Sequence, residues 1–256
     1  MPATVLPGEP LELPYPPRIV AEEEDLLVID KPPFLRIHPS KPDQTDTLWN
    51  DLRALLAYEI ANGGQVSIIN RLDRETSGLV LVAKHHAAAS RLSQLMERRR
   101  IQKEYLALVA GWPERDEWEV DAPLLRQGDV RPSPIYLKQC VHPDGAAATT
   151  RFLVEKRTER DGMKLALVRA FPETGRMHQI RIHLAESGHF VIGDKIYGPD
   201  ENCYLEFIET GWTPALSRKL LLPRHALHSC ALLTGEKEWR TGLPPDLLQW
   251  SGLSLP

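Results

Sequence analysis

The chain has 256 residues, 42% of them hydrophobic and 26% charged, an ordinary globular composition with enough length to bury a sizeable core. No apolar run reaches the ~20 residues of a membrane span, and the net charge of −4 suits a nucleic-acid partner only if the charges segregate. Cys140, Cys203 and Cys230 are odd in number and far apart, which argues against a disulfide framework or a metal-ligand set and for a reducing cytoplasm.

Residues 1–18 are proline-rich, with no basic stretch leading into an apolar block, and are expected to form an extended arm rather than a targeting signal. Ile19 to Asp30 predicts a short strand pair, stopped by Lys31-Pro32-Pro33 because proline cannot donate to a sheet ladder. Thr47 can cap a helix over Leu48 to Ile60, ended by Asn62-Gly63-Gly64. Val66 to Ile69 and Leu79 to Ala83 predict strands on either side of the polar segment Asn70 to Gly78. Ala87 to Arg100 predicts a helix, and Tyr105 to Val109 a strand closed by Gly111.

Trp112 to Ala148 is rich in proline, glycine and charge, and reads as a long irregular excursion with room for short strands. Thr149 to Lys156 and Lys164 to Phe171 alternate as an antiparallel pair around Asp161-Gly162. Met177, Ile180, Leu184 and Ala185 follow helical spacing, with Gly188 as the cap. Ala226 to Leu233 predicts a last strand, and Leu243 to Pro256 a short helix or coil. The pattern implies an α+β fold: a mixed, largely antiparallel central sheet flanked by helices, in a single domain over 19–256.

Charge segregates along the chain: residues 1–50 carry a net −5 and residues 70–105 a net +4. Within the basic stretch, Asn70-Arg71-Leu72-Asp73-Arg74-Glu75-Thr76-Ser77-Gly78 crowds cations, acids and hydroxyls between two apolar strands, a common arrangement for a site. Flanking arginines favour the ionised form of Asp73, and an ionised carboxylate can act as nucleophile or base. A salt-bridged turn with no chemistry remains open on pattern alone. So does a two-carboxylate hydrolase, since Glu75 would share the face of Asp73 on an extended segment.

The run Arg71-Leu72-Asp73-Arg74-Glu75-Thr76-Ser77-Gly78-Leu79-Val80-Leu81-Val82-Ala83-Lys84 resembles the signature of the RluA-type RNA pseudouridine synthases. Lys31-Pro32, Lys103 to Gly111 around Tyr105, Gly175-Arg176-Met177-His178-Gln179-Ile180-Arg181-Ile182-His183-Leu184, Ile192-Gly193-Asp194 with Tyr197-Gly198, and Leu227-His228-Ser229 follow in the family's order. Asn70, Met177 and Ser229 depart from the usual residues.

The resemblance implies an isomerase that converts specific uridines of ribosomal or transfer RNA to pseudouridine. It implies Asp73 as catalyst, Arg181 as its guanidinium partner, and Tyr105 as the platform for a flipped base. It further implies Leu227 at the pocket wall and Arg71 in the space the nucleotide leaves, with Arg74, Lys84, Lys103, Arg176 and His178 toward the RNA. Arg98, Arg99 and Arg100 are further candidates for phosphate contacts. Arg181 stands three residues from His178 and four from Met177, a spacing that would put them on one helix face. The family needs no cofactor. His85-His86, His178 with His183, and His225 with His228 lack nearby cysteines, so no metal is expected. The expected protein is a cytoplasmic monomer without an obligate protein partner or the separate N-terminal RNA-binding domain many members carry. An RNA-binding module without turnover is the rival the negative charge favours.

Overall fold

Two fully buried strands organise the start of the chain in this computed structural model, which describes residues 15–253. In chain order it has β1 (Arg18–Glu22), β2 (Leu26–Lys31), α1 (Leu48–Leu55), α2 (Ala57–Ala61), β3 (Ser67–Ile68), β4 (Ser77–Ala83) and α3 (His86–Glu97). Then come β5 (Gln102–Ala110), β6 (Glu117–Asp121), β7 (Leu124–Arg126), a single 3-10 turn at Gln127–Asp129, β8 (Gln139–Val141), β9 (Thr149–Arg160) and β10 (Met163–Pro172). The rest is α4 (Gln179–Glu186), α5 (Asn202–Thr210), α6 (Pro214–Leu220), β11 (Leu227–Leu233), β12 (Glu238–Arg240) and α7 (Pro245–Ser251). The described residues group into two compact units, Glu104–Leu227 as one continuous unit and residues 15–103 with 228–253 as a split one. Residues 1–14 of the expected arm lie outside the described residues, and Arg18 already belongs to β1.

In the split unit the strand order is β1-β2-β4-β11, antiparallel except for the parallel pair β4–β11. β3 and β12 pair antiparallel with β4 and β11. β2 and β4 are buried along their whole length, so both faces must be covered. Period-two alternation sorts their side chains between two layers. Leu26, Val28, Leu79 and Leu81 meet Ala88 and Leu92 of α3, with Leu232 and Trp239. Leu27, Ile29, Val80 and Val82 meet Leu48 and Leu52 of α1, with Leu35, Ile37 and Leu56. Thr47 caps α1 by accepting from the Asn50 amide, as expected. The single helix expected over Leu48 to Ile60 breaks at Leu56 into α1 and α2.

In the continuous unit the order β5-β10-β9-β6 is antiparallel throughout, and β7 pairs with β8 apart from it. β9 and β10 turn at Asp161 (φ 51°) and Gly162 (φ 78°), the left-handed pair that an Asp-Gly hairpin turn requires. The excursion holds β6, β7 and β8. Two helices, α5 and α6, occupy a stretch where no element was expected; Cys203, Trp212, Leu216 and Leu220 bury their shared face. β12 follows the strand expected to be last. Taken unit by unit, the strands form largely antiparallel sheets with helices beside them, mixed by the parallel β4–β11 pair, as the pattern implies.

Candidate active site

The aspartate segment of the split unit is held on three sides. At its entry, the buried Asn70 amide donates to the Leu79 carbonyl (3.1 Å) and accepts from the Leu81 amide (2.7 Å), so one side chain mimics a strand neighbour for β4. From below, Lys31 is fully buried, and its Nζ donates to the carbonyls of Pro32 (2.8 Å), Leu35 (2.9 Å) and Arg74 (3.2 Å). Arg74 Nε adds a bond to the Phe34 carbonyl (3.2 Å), where Phe34 sits at φ 69°.

At its exit, Gly78 has φ +111°, and a Cβ there would stand 2.2 Å from the Ser229 carbonyl, so no other residue fits. That close approach accompanies the parallel register of Ser77 with His228 and Gly78 with Ser229. Ser77 Oγ meets His228 Nδ1 at 2.9 Å, and Ser229 Oγ donates to the Leu79 carbonyl (3.3 Å).

Between these anchors the Thr76 amide donates to the Asp73 carbonyl (3.1 Å), closing a turn with Arg74 and Glu75 at its centre. Asp73 is half-buried and Arg71 exposed. The extended segment that would place Glu75 on Asp73's face is therefore absent, because the turn reverses the chain between them.

In the continuous unit, Arg181 is 4% exposed and held bidentate by Asp194, Nε to Oδ2 at 2.6 Å and Nη2 to Oδ1 at 2.9 Å. Asp194 Oδ1 also accepts from the amides of Ile196 (2.9 Å) and Tyr197 (3.0 Å). Burial alone would raise this carboxyl; the Arg181 charge and hydrogen bonds, with His225, outweigh it and hold it well below the usual carboxylate range. The local chain needs two glycines: a Cβ on Gly193 (φ +80°) would meet the Arg224 carbonyl at 1.9 Å, and one on Gly198 the Asp194 carbonyl at 2.1 Å.

The Arg181 guanidinium carbon lies 5.1 Å from the centroid of the Tyr197 ring, whose hydroxyl accepts from the Gln139 amide (2.9 Å) and meets His178 Nδ1 (2.8 Å). Tyr105 and Leu227 are buried.

A model of the RNA pseudouridylate synthase family matches residues 25–186. The chain belongs to the RNA pseudouridylate synthase family. It is 35% identical over 254 residues to the ribosomal large subunit pseudouridine synthase D of Escherichia coli strain K12, covering 94% of this chain and 71% of that protein. It is 36% identical over 185 residues to the dual-specificity RNA pseudouridine synthase RluA of Vibrio parahaemolyticus, covering 72% and 70%. The human RNA pseudouridylate synthase domain containing 1 superposes with a TM-score of 0.67 at 25% identity, covering 97% of this chain and 90% of that one.

The structure of this synthase redraws several of the expected roles. α4 begins at Gln179, so His178 and Met177 precede the helix and do not share its face with Arg181. The cause is local: Gln179 Oε1 accepts from Thr174 Oγ1 (2.6 Å) and the Arg176 amide (3.0 Å), which rounds the chain into a loop and leaves His178 left-handed at φ 57°. Lys84, expected toward the RNA, is buried and paired with Glu22 (3.1 Å) and Glu59 (3.8 Å), so it ties β4 to its neighbours. Lys103 is partly buried, and burial lowers its ammonium. Arg176 is exposed, its Nε on the Ala147 carbonyl (3.2 Å); Arg98, Arg99 and Arg100 are exposed at the end of α3.

Sequence reasoning gave Lys31, Asn70, Asp194, Gln179 and Tyr197 no role. Lys31 and Asp194 had a visible signal, a charge beside a buried apolar run and an acid behind a glycine. Asn70 had only its departure from the usual residue at that position.

Proposed function

We propose that this synthase isomerises specific uridines of structured ribosomal or transfer RNA to pseudouridine, with Asp73 as its catalytic residue. The C1′–N1 bond breaks, a C1′–C5 bond forms, and the C5 hydrogen is exchanged for one on N1, so no oxidant, reductant or cofactor is needed. Arg181, itself oriented by Asp194, keeps Asp73 ionised; Tyr105 and Leu227 receive the everted uracil; Arg71 fills the space it vacates. Both units act as one catalytic domain, in a cytoplasmic monomer.

The observation that carries this reading is the anchoring of the Asp73 turn by Lys31, Asn70 and Gly78, inside the stretch matched by the family. Tritium release from [5-³H]uridine-labelled ribosomal RNA tests it. Asp73→Asn should bind that RNA within about twofold of the unaltered protein while turnover falls by about 10³ or more. Turnover by the variant at the original rate would remove Asp73 from the chemistry.

A further inference from the structure

We propose that the turn at Tyr136-Leu137 is a second RNA-contacting element, a stacking platform for a nucleotide outside the reaction centre. It lies in the connection between β7 and β8. Ile135, 1% exposed, fixes the turn in a cluster with Leu124, Ala148, Ile182, Ile196 and Tyr197. Ser133 Oγ accepts from the Ile135 amide (3.3 Å), and the Lys138 amide donates to the Ile135 carbonyl (3.1 Å). Pro132 and Pro134 stiffen the approach. Tyr136 and Leu137 therefore stand at the tip of a rigid turn, 74% and 44% exposed.

The surroundings indicate what would cover the ring. The Arg126 guanidinium carbon lies 4.7 Å from the Tyr136 centroid and is ion-paired with Asp129. At 74% exposure the opposite ring face is open. Residues 124–142 carry Arg126, Arg131 and Lys138 against Asp129 alone, with Lys138 paired to Glu201. Exposed Arg176 and Met177 adjoin through Gln139, whose Nε2 lies 3.7 Å from the Met177 sulfur. An aromatic face interleaved with cations fits a base stacked on the ring with its phosphates between arginines.

The same turn is wired to α4. The Gln139 amide donates to the Tyr197 hydroxyl, which meets His178, the residue before the helix that bears Arg181. The ring is thus held in fixed relation to Arg181. The inference rests on the RNA reading above.

The test is fluorescence anisotropy of the full chain with labelled 15-nucleotide oligouridine, beside KM and kcat from tritium release on ribosomal RNA. Tyr136→Ala should weaken oligouridine binding about tenfold and raise KM comparably, while Tyr136→Phe, which keeps the ring, restores both. Binding by Tyr136→Ala within twofold of the unaltered protein overturns the proposal. So does equal loss in Tyr136→Phe, which would assign a hydrogen bond rather than stacking. Unchanged RNA affinity with altered self-association in sedimentation velocity would assign the patch to a second copy and also overturn it. If the unaltered protein releases no tritium from ribosomal RNA yet shows the tenfold binding difference, the proposed reaction fails and the stacking platform stands.

Discussion

Lys31 shows how one side chain can tie down the turn that carries the proposed catalyst, Asp73. Its ammonium meets carbonyls on two separate segments, 32–35 and Arg74, so the turn after Asp73 hangs from the end of β2. Lys31→Met keeps the volume but strips the carbonyls of Pro32, Leu35 and Arg74 of this donor, the first two in buried bonds, and an unsatisfied buried polar group costs about 1–3 kcal/mol. The expected loss is about 3 kcal/mol or more in urea denaturation, with turnover falling further than stability predicts because the turn loosens. Full tritium release by a destabilised Lys31→Met would show that the lysine serves folding alone.

At the scale of elements, α4 carries a buried polar network through Gln179, Arg181 and His183. Asp194→Asn leaves the Arg181 guanidinium without its bidentate carboxylate, and a cost of about 3 kcal/mol is expected in urea denaturation. A second test is thermal. His183 Nε2 donates to the Ala122 carbonyl (3.0 Å), and its Nδ1 meets Thr150 Oγ1 (2.9 Å). Burial lowers its pKa from the ordinary 6.5, partly offset by the bond to Ala122 and the charge of Asp121. Below pH ~6.5 the unfolded chain takes up a proton that the folded one resists, so stability should fall as pH drops. His183→Asn should flatten that dependence in melts between pH 7.5 and 5.5.

The sequence showed β2 and β4 as apolar runs and the β9–β10 hairpin by its alternation around an Asp-Gly turn, because these are local signals. It overextended α4, because a left-handed His178 depends on a Gln179 bond network that periodicity does not register. It placed Lys84 toward solvent because only tertiary packing brings Glu22 and Glu59 to it. The aspartate turn was legible as a polar run; its anchors were not, because Lys31 and Ser229 are remote from it in sequence.

For the whole molecule, a net charge of −4 sits beside a polyanionic substrate class. The resolution is local: Arg98, Arg99 and Arg100 are exposed in the stretch of net +4. RNA affinity should fall as salt rises, and neutralising all three to glutamine should shallow the log–log slope by up to about 2, since each phosphate contact on a single strand contributes roughly 0.7. An unchanged slope in filter binding from 50 to 300 mM salt would place the phosphate contacts elsewhere.

The parallel seam at Gly78 has a consequence for biosynthesis. Ser77 and His228 bond across 151 residues, and Ser229 closes over a glycine that tolerates nothing larger. A nascent chain still tethered at the ribosome before β11 has emerged holds every residue of the signature, yet lacks the strand that braces its exit. The exit of the turn is braced only once β11 has paired with β4, so two segments far apart in the chain must meet before the Asp73 turn is fully anchored.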